Sequence, residues 1–167
     1  KIDLVPPVAQ ALRAVGIEVW GWHYVYGDQP SAEARIAIRR VRELNLDGYV
    51  INAEAQYKEP GKRSAATQFM RELRTGLGNS VPVGLTSYRY PSLHPIPWNE
   101  FLEKCDYNMP QVYWIHAHNP GAQLAKTINE FESSRIKYRR PIIPIGAAFR
   151  EHGWEPTKNE VLEFLDT

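Results

Sequence analysis

Asp47-Gly-Tyr-Val-Ile-Asn-Ala-Glu-Ala-Gln-Tyr57 is the stretch on which the reading of the fold turns. Side chains alternate along a strand, so Val50, Asn52, Glu54 and Gln56 share one face and Ile51, Ala53 and Ala55 the other. The small apolar set suits packing under helices. Asn52 and Glu54 then point the opposite way, at the strand's carboxyl end. A carboxylate in an apolar strand is costly to bury unless it is hydrogen-bonded or used. Two roles follow for Glu54: a structural one, paired with a base such as Arg89, or a catalytic or ligand-binding one, which the placement favours.

Outward from this strand, strand-like and helix-like runs alternate. Residues 18–26, 48–55, 81–88, 107–114 and 141–147 are rich in β-branched and aromatic residues and are predicted as strands. Helices are predicted after Pro6-Pro7, then from Ala32 (with Ser31 as cap) to Asn45, and over 62–77, 98–104 and 120–133. Thr157-Lys-Asn-Glu160 reads as a capping box opening a last helix. Strand starts spaced by roughly 30 residues are those of βαβ units, which implies an α/β fold with a parallel sheet. No glycine-rich phosphate loop follows any strand. The polar and aromatic segments after the strands fit the catalytic face of a parallel (β/α)8 TIM-type barrel better than an open doubly wound sheet. Five strands fall short of eight, so the chain is read as one barrel domain over 1–167, present in part.

Composition narrows the partners. The 167 residues carry 20 Lys+Arg against 19 Asp+Glu, a net charge of +1 that leaves no electrostatic footprint for nucleic acid. No apolar run approaches the ~18 residues of a membrane span. The first residues lack the layout of a signal peptide, which leaves localisation open. The single cysteine, Cys105, precludes an intrachain disulfide; with no base beside it and Asp106 next to it, it is expected to be inert. The basic cluster Arg135 to Arg140 is read as a solvated loop. No cofactor is implied, and the oligomeric state is open. Five Trp, nine Tyr and five His point toward a sugar-binding cleft, since aromatic faces pack on apolar sugar faces while polar tips hydrogen-bond.

Asn52-Ala-Glu54 resembles the end of the fourth strand of barrel glycoside hydrolases, most of all the lysozyme-type muramidases of family 25, and more distantly the family 18 chitinases. Val19-Trp-Gly-Trp-His-Tyr24 is similar to the lysozyme family's third strand, and Met109-Pro-Gln-Val-Tyr-Trp114 to the sixth strand of these families. Pro141-Ile-Ile-Pro-Ile-Gly146 then reads as a seventh. The resemblance covers roughly Trp20 to Gly146 and implies strands three to seven, with one, two and eight absent. It implies hydrolysis of an N-acetylated polysaccharide such as peptidoglycan, in a secreted, phage or cell-wall setting. Glu54 would be the general acid/base with Asn52 and Tyr113 beside it; His23, Tyr88, Gln111 and Trp114 would contact substrate. One departure matters. The lysozyme family carries an Asp two residues before this Glu, where Asn52 stands.

Glycosidases normally need two carboxyl groups. Asp28 and Glu59, in loops beyond strands, are candidates for the second, whereas Asp47 and Asp106 precede strands and fall at the wrong end. A substrate-assisted route through the sugar's acetamido group needs only one acid and an orienting Tyr or Asn, which Tyr113 and Asn52 supply. Two other classes stay open: a catalytically silent barrel that binds sugar or protein, and a metal-dependent hydrolase using His116-Ala-His118. His23 is balanced between cleft and core. Trp20, Trp22, Tyr24 and Tyr26 share the other parity of their strand and are expected to pack under helices. No G-x-S-x-G elbow occurs.

Overall fold

The computed structural model describes residues 3–167. Its centre is a five-stranded sheet, all parallel, in sequential order: β1 (Trp20–Val25), β2 (Gly48–Ala53), β3 (Val83–Tyr88), β4 (Tyr107–Val112) and β5 (Ile145–Gly146). Among the described residues six α-helices run between and around them: α1 (Val5–Arg13), α2 (Pro30–Glu43), α3 (Lys62–Leu77), α4 (Trp98–Leu102), α5 (Pro120–Ser133) and α6 (Lys158–Asp166). Sequential order of parallel strands joined by helices is the topology of a (β/α) barrel, here present in part. None of the described helices is long and apolar enough to cross a membrane.

All five predicted strands form, each shorter than expected. After Ala53 the chain turns through Glu54 into a 3-10 turn at Ala55–Lys58, so Gln56 leaves the strand it was assigned to. β5 pairs over two residues only, and a lone bridge joins Asn108 to Ile142. The reason lies in Pro141 and Pro144, which have no N–H to give to a ladder. The capping box is as expected: Thr157 accepts from the Glu160 amide while Glu160 accepts from the Thr157 amide. Ser31 is not a cap; Gln29 holds that place, and the Ser31 hydroxyl donates to Glu72 of α3.

The helices cover one face of the sheet. Val25, Tyr49, Ile51, Ala53, Val83 and Leu85 point into them and meet Ala37, Val41, Phe69, Met70, Leu73 and Phe101 in one continuous core. Parity on β1 is the reverse of the expectation. Val25 is in this core, and a Cβ on Gly21 would stand 2.6 Å from Leu46 Cδ1, so the face meeting the helix has room for no large side chain there. Trp20, Trp22 and Tyr24 therefore line the concave face instead. The Trp20 ring lies directly over Gly48, where a Cβ would come within 2.2 Å of it, and reaches Tyr107 of β4 with 6.0 Å between ring centroids. Strands three places apart in a flat sheet would be about 14 Å apart. The sheet's curvature and the bare Gly48 let these two rings meet.

Candidate active site at the carboxyl end of β2

Glu54 stands where β2 ends, on the concave side, with its side chain 19% exposed. Its two oxygens have different surroundings. Oε1 accepts from the Gln111 amide of β4 at 2.9 Å, and the same amide lies 3.2 Å from Asn52 Oδ1. Oε2 lies 3.5 Å from His94 Nε2. Burial raises the Glu54 pKa above the usual carboxylate range, with the Gln111 hydrogen bond and the Lys58 charge pulling the other way. A carboxyl group of this kind is disposed to keep its proton in mildly acidic solution, as a general acid must. Arg89 is not its partner. That guanidinium donates to Gln123 and packs over the rings of Tyr88 and Tyr90.

Two tyrosines stand close enough to feel the Glu54 charge. Burial raises the pKa of Tyr113 and of Tyr24, and in each the charge on Glu54 is the next cause. Tyr113 leans its ring edge-on against Phe149 at 5.2 Å, while the Tyr24 hydroxyl donates to Gln56 Oε1. Tyr88, paired with Gln111 across β3 and β4, stacks on His94 with centroids 5.6 Å apart. Sheet register thus gathers Asn52, Glu54, Tyr88, Gln111 and Tyr113 on one face at one end.

The structure separates two predicted site residues from this group. Trp114 is 1% exposed, packed between Trp154 and Phe164 beneath α6, because its parity on β4 is that of Val112 and not of Gln111 and Tyr113. His23 faces α2, and its Nδ1 shares a 2.7 Å hydrogen bond with the Tyr49 hydroxyl; burial lowers its pKa. It shares the parity of Val25 and is a partly buried residue on the helix side of the sheet. Conversely, Tyr24 and His94 stand beside Glu54 and were not among the predicted members of the group. The aromatic stripe of β1 was a signal for Tyr24, spoiled by the parity assignment. His94 sits in the irregular segment between β3 and α4, where no periodicity marks it.

The candidate second carboxylates lie elsewhere. Asp28 and Glu59, with side chains 73% and 64% exposed, both pair with Lys62 at the start of α3. Neither contributes to the shift of Glu54, and among the described residues no carboxylate does. His118 Nδ1 is 2.6 Å from Glu160 Oε1, which ties it to the α6 cap, and the described residues bring no three His, Cys, Asp or Glu side chains together as a metal site. Burial pushes the Cys105 thiol up to about 12, with Asp106 adding to it and Arg74 opposing.

No family model matches the sequence, and no curated protein matches it. Solved structures do. An endo-β-N-acetylglucosaminidase from Cordyceps militaris superposes with a TM-score of 0.63 at 18% identity, over 87% of this chain and 51% of its own. A chitinase from Rhizomucor miehei gives 0.59 at 12% identity, over 84% and 54%. The chitinase domain of a Clostridium difficile spore coat protein gives 0.50 at 15%, over 66% and 38%. At such identities the likeness is one of fold. The chain spans about half the length of these structures or less. The fold is the one that these structures share, and they favour the more distant of the two resemblances in the sequence.

Proposed function

We propose that this chain carries the acid/base part of a glycoside hydrolase site that cleaves an N-acetylated polysaccharide, with Glu54 as the catalytic acid and base. The observation that carries the reading is the setting of Glu54: a half-buried carboxyl with a raised pKa, at the carboxyl end of a parallel strand, facing Gln111 and Tyr113 across the concave face. Its fold neighbours, chitinases and an endo-β-N-acetylglucosaminidase, support a 2-acetamido sugar as substrate.

Among the described residues no carboxylate acts on Glu54, and the reading therefore takes the sugar's own acetamido group as nucleophile. Its carbonyl oxygen attacks C1 as the glycosidic bond breaks, and the proton on Glu54 passes to the leaving oxygen. Water, giving its proton to Glu54, then attacks C1 as the bond from C1 to the acetamido oxygen breaks, which restores both the acetamido group and the protonated acid. Asn52 and Tyr113 flank the acid and orient the acetamido group, a task for an amide and a phenol rather than for a second charge. Tyr88 and Gln111 contact the substrate beside them. The test is hydrolysis of chitin-type, peptidoglycan and N-linked glycans by wild type and Glu54→Gln; equal turnover by the two proteins removes the reading.

A second reading, a barrel that binds such sugars without cleaving them, is favoured by the amide Asn52 where the lysozyme family has an acid. Glycan binding with no turnover by the wild type on any of the three substrates would establish it.

A further inference from the structure

Resting on the reading of Glu54 as the acid, we propose that His94 is a positioning residue that holds the acidic proton of Glu54 on Oε2. The two carboxyl oxygens are already distinguished. Oε1 accepts an N–H from Gln111 at 2.9 Å, so it is the carbonyl-like oxygen of the protonated group and the proton belongs on Oε2. Oε2 faces His94 Nε2 at 3.5 Å. That nitrogen is wholly buried and has no hydrogen-bond partner, in a residue only 7% exposed. A buried polar atom without a partner is destabilising, and the nearest complement to it is the proton of Glu54.

The contact is longer than a formed hydrogen bond. Catalytic hydrogen bonds are commonly long without substrate and tighten when it binds. The imidazole is kept in place from two sides: Tyr88 stacks on its ring, and the Trp98 indole donates to its backbone carbonyl at 2.8 Å. It is also kept neutral. Burial first, and the Lys58 charge second, lower its pKa to about 4. A neutral imidazole with a bare Nε2 accepts a proton in a hydrogen bond without taking it. The charged and titratable groups around the pair are Lys58 from the 3-10 turn and Tyr24, Tyr88 and Tyr113 from the strands. In the reaction one proton leaves Oε2 for the glycosidic oxygen and one returns from water, while His94 remains neutral throughout.

Carboxyl-carbon NMR of Glu54 tests this without any sugar. His94→Phe keeps a buried ring against Tyr88 and removes the nitrogen. The neutral form of Glu54 then loses its acceptor while burial is kept, and its pKa falls by about half a pH unit. An unchanged or raised value overturns the proposal, because a histidine that donated to the carboxylate would give the opposite sign. His94→Gln, whose side-chain carbonyl can accept, is expected to restore most of the shift. In the wild type, nitrogen NMR reads the tautomer directly, so the proposal does not depend on either variant folding: a bare Nε2 supports it and a protonated Nε2 overturns it. The alkaline limb of the kcat/KM profile of His94→Phe moves to lower pH by the same amount, with KM within about twofold. Failure of the two ideas is distinguishable. If the Glu54 pKa falls but Glu54→Gln turns over glycans like the wild type, the pairing holds and the function falls; the reverse pattern sinks His94 alone.

Discussion

Asp47 stands immediately before β2 and Glu54 immediately after it, so one strand carries an acid at each end, and the two are treated in opposite ways. Asp47 accepts from the Val19 amide at 2.7 Å and pairs with Arg13, while its own amide donates to the Val19 carbonyl. Asp106 repeats the device before β4: its carboxylate takes the Val83 amide and Arg74, both at 2.7 Å, and its amide donates to the Val83 carbonyl. At this edge of the sheet each acid clamps the start of the neighbouring strand. The Val19 amide holds the Asp47 carboxyl below its ordinary range, with desolvation opposing it and Arg13 adding to it. At the other edge Glu54 has one hydrogen-bond donor, a facing nitrogen without a partner, and a raised pKa. Barrels divide stability and chemistry between their two ends in this way.

The largest expected effect breaks the comparison at the open end. Glu54→Gln is expected to lower kcat by about 10²–10⁴-fold, the usual contribution of a general acid or base. It should also raise Tm at neutral pH, because a carboxyl whose folded pKa is raised costs stability once the pH exceeds its unfolded value. A fall in Tm would mean that Glu54 is structural after all. Next is Trp114→Ala, which empties the second apolar cluster; unfolding in denaturant should show a loss of about 3–5 kcal/mol. A tolerant protein with weakened glycan binding would instead return Trp114 to the cleft.

Asp106→Asn probes the clamped end. It should cost about 1–2 kcal/mol from the Arg74 and Val83 bonds and leave kcat unchanged. The smallest effect separates the two edges by sign. Because the folded pKa of Asp47 is lowered, its contribution is present above the unfolded value near ~4 and is lost as the pH falls through the folded one. Asp47→Asn should therefore lower Tm at neutral pH and match the wild type in strong acid. A difference that widened toward acid would contradict the clamp.

Much of this division was legible. Period-two alternation through 48–54 placed Glu54 on the concave side, and the position of Asp47 and Asp106 ahead of their strands put them at the other end. Helix boundaries followed Gly78 and Pro120, whose backbone constraints act locally, whereas α2 begins at Pro30, two residues before the expected start. Parity on β1 was not legible, because a strand whose two faces are Trp-Trp-Tyr and Gly-His-Val is apolar enough on both. What decides it is Leu46, a residue beyond α2 that needs the space over Gly21. Trp114 was misplaced for a related reason: a residue beyond the end of β4 keeps the strand's parity, so adjacency to Tyr113 in sequence means opposition in space. His94 depends on the path of an irregular segment, which no local pattern encodes.

Trp20 over Gly48 sets a depth. Beneath Asn52 and Glu54, the concave face is filled by that indole and by Tyr107, with Met109 lying over Gly84 beside them. On the proposed reading, a sugar chain meeting this floor lies across the strand ends and not along the strand axis. The glycine's missing methyl group thus sets the depth of the concave face, and any side chain at position 48 would push the Trp20 ring up toward Glu54.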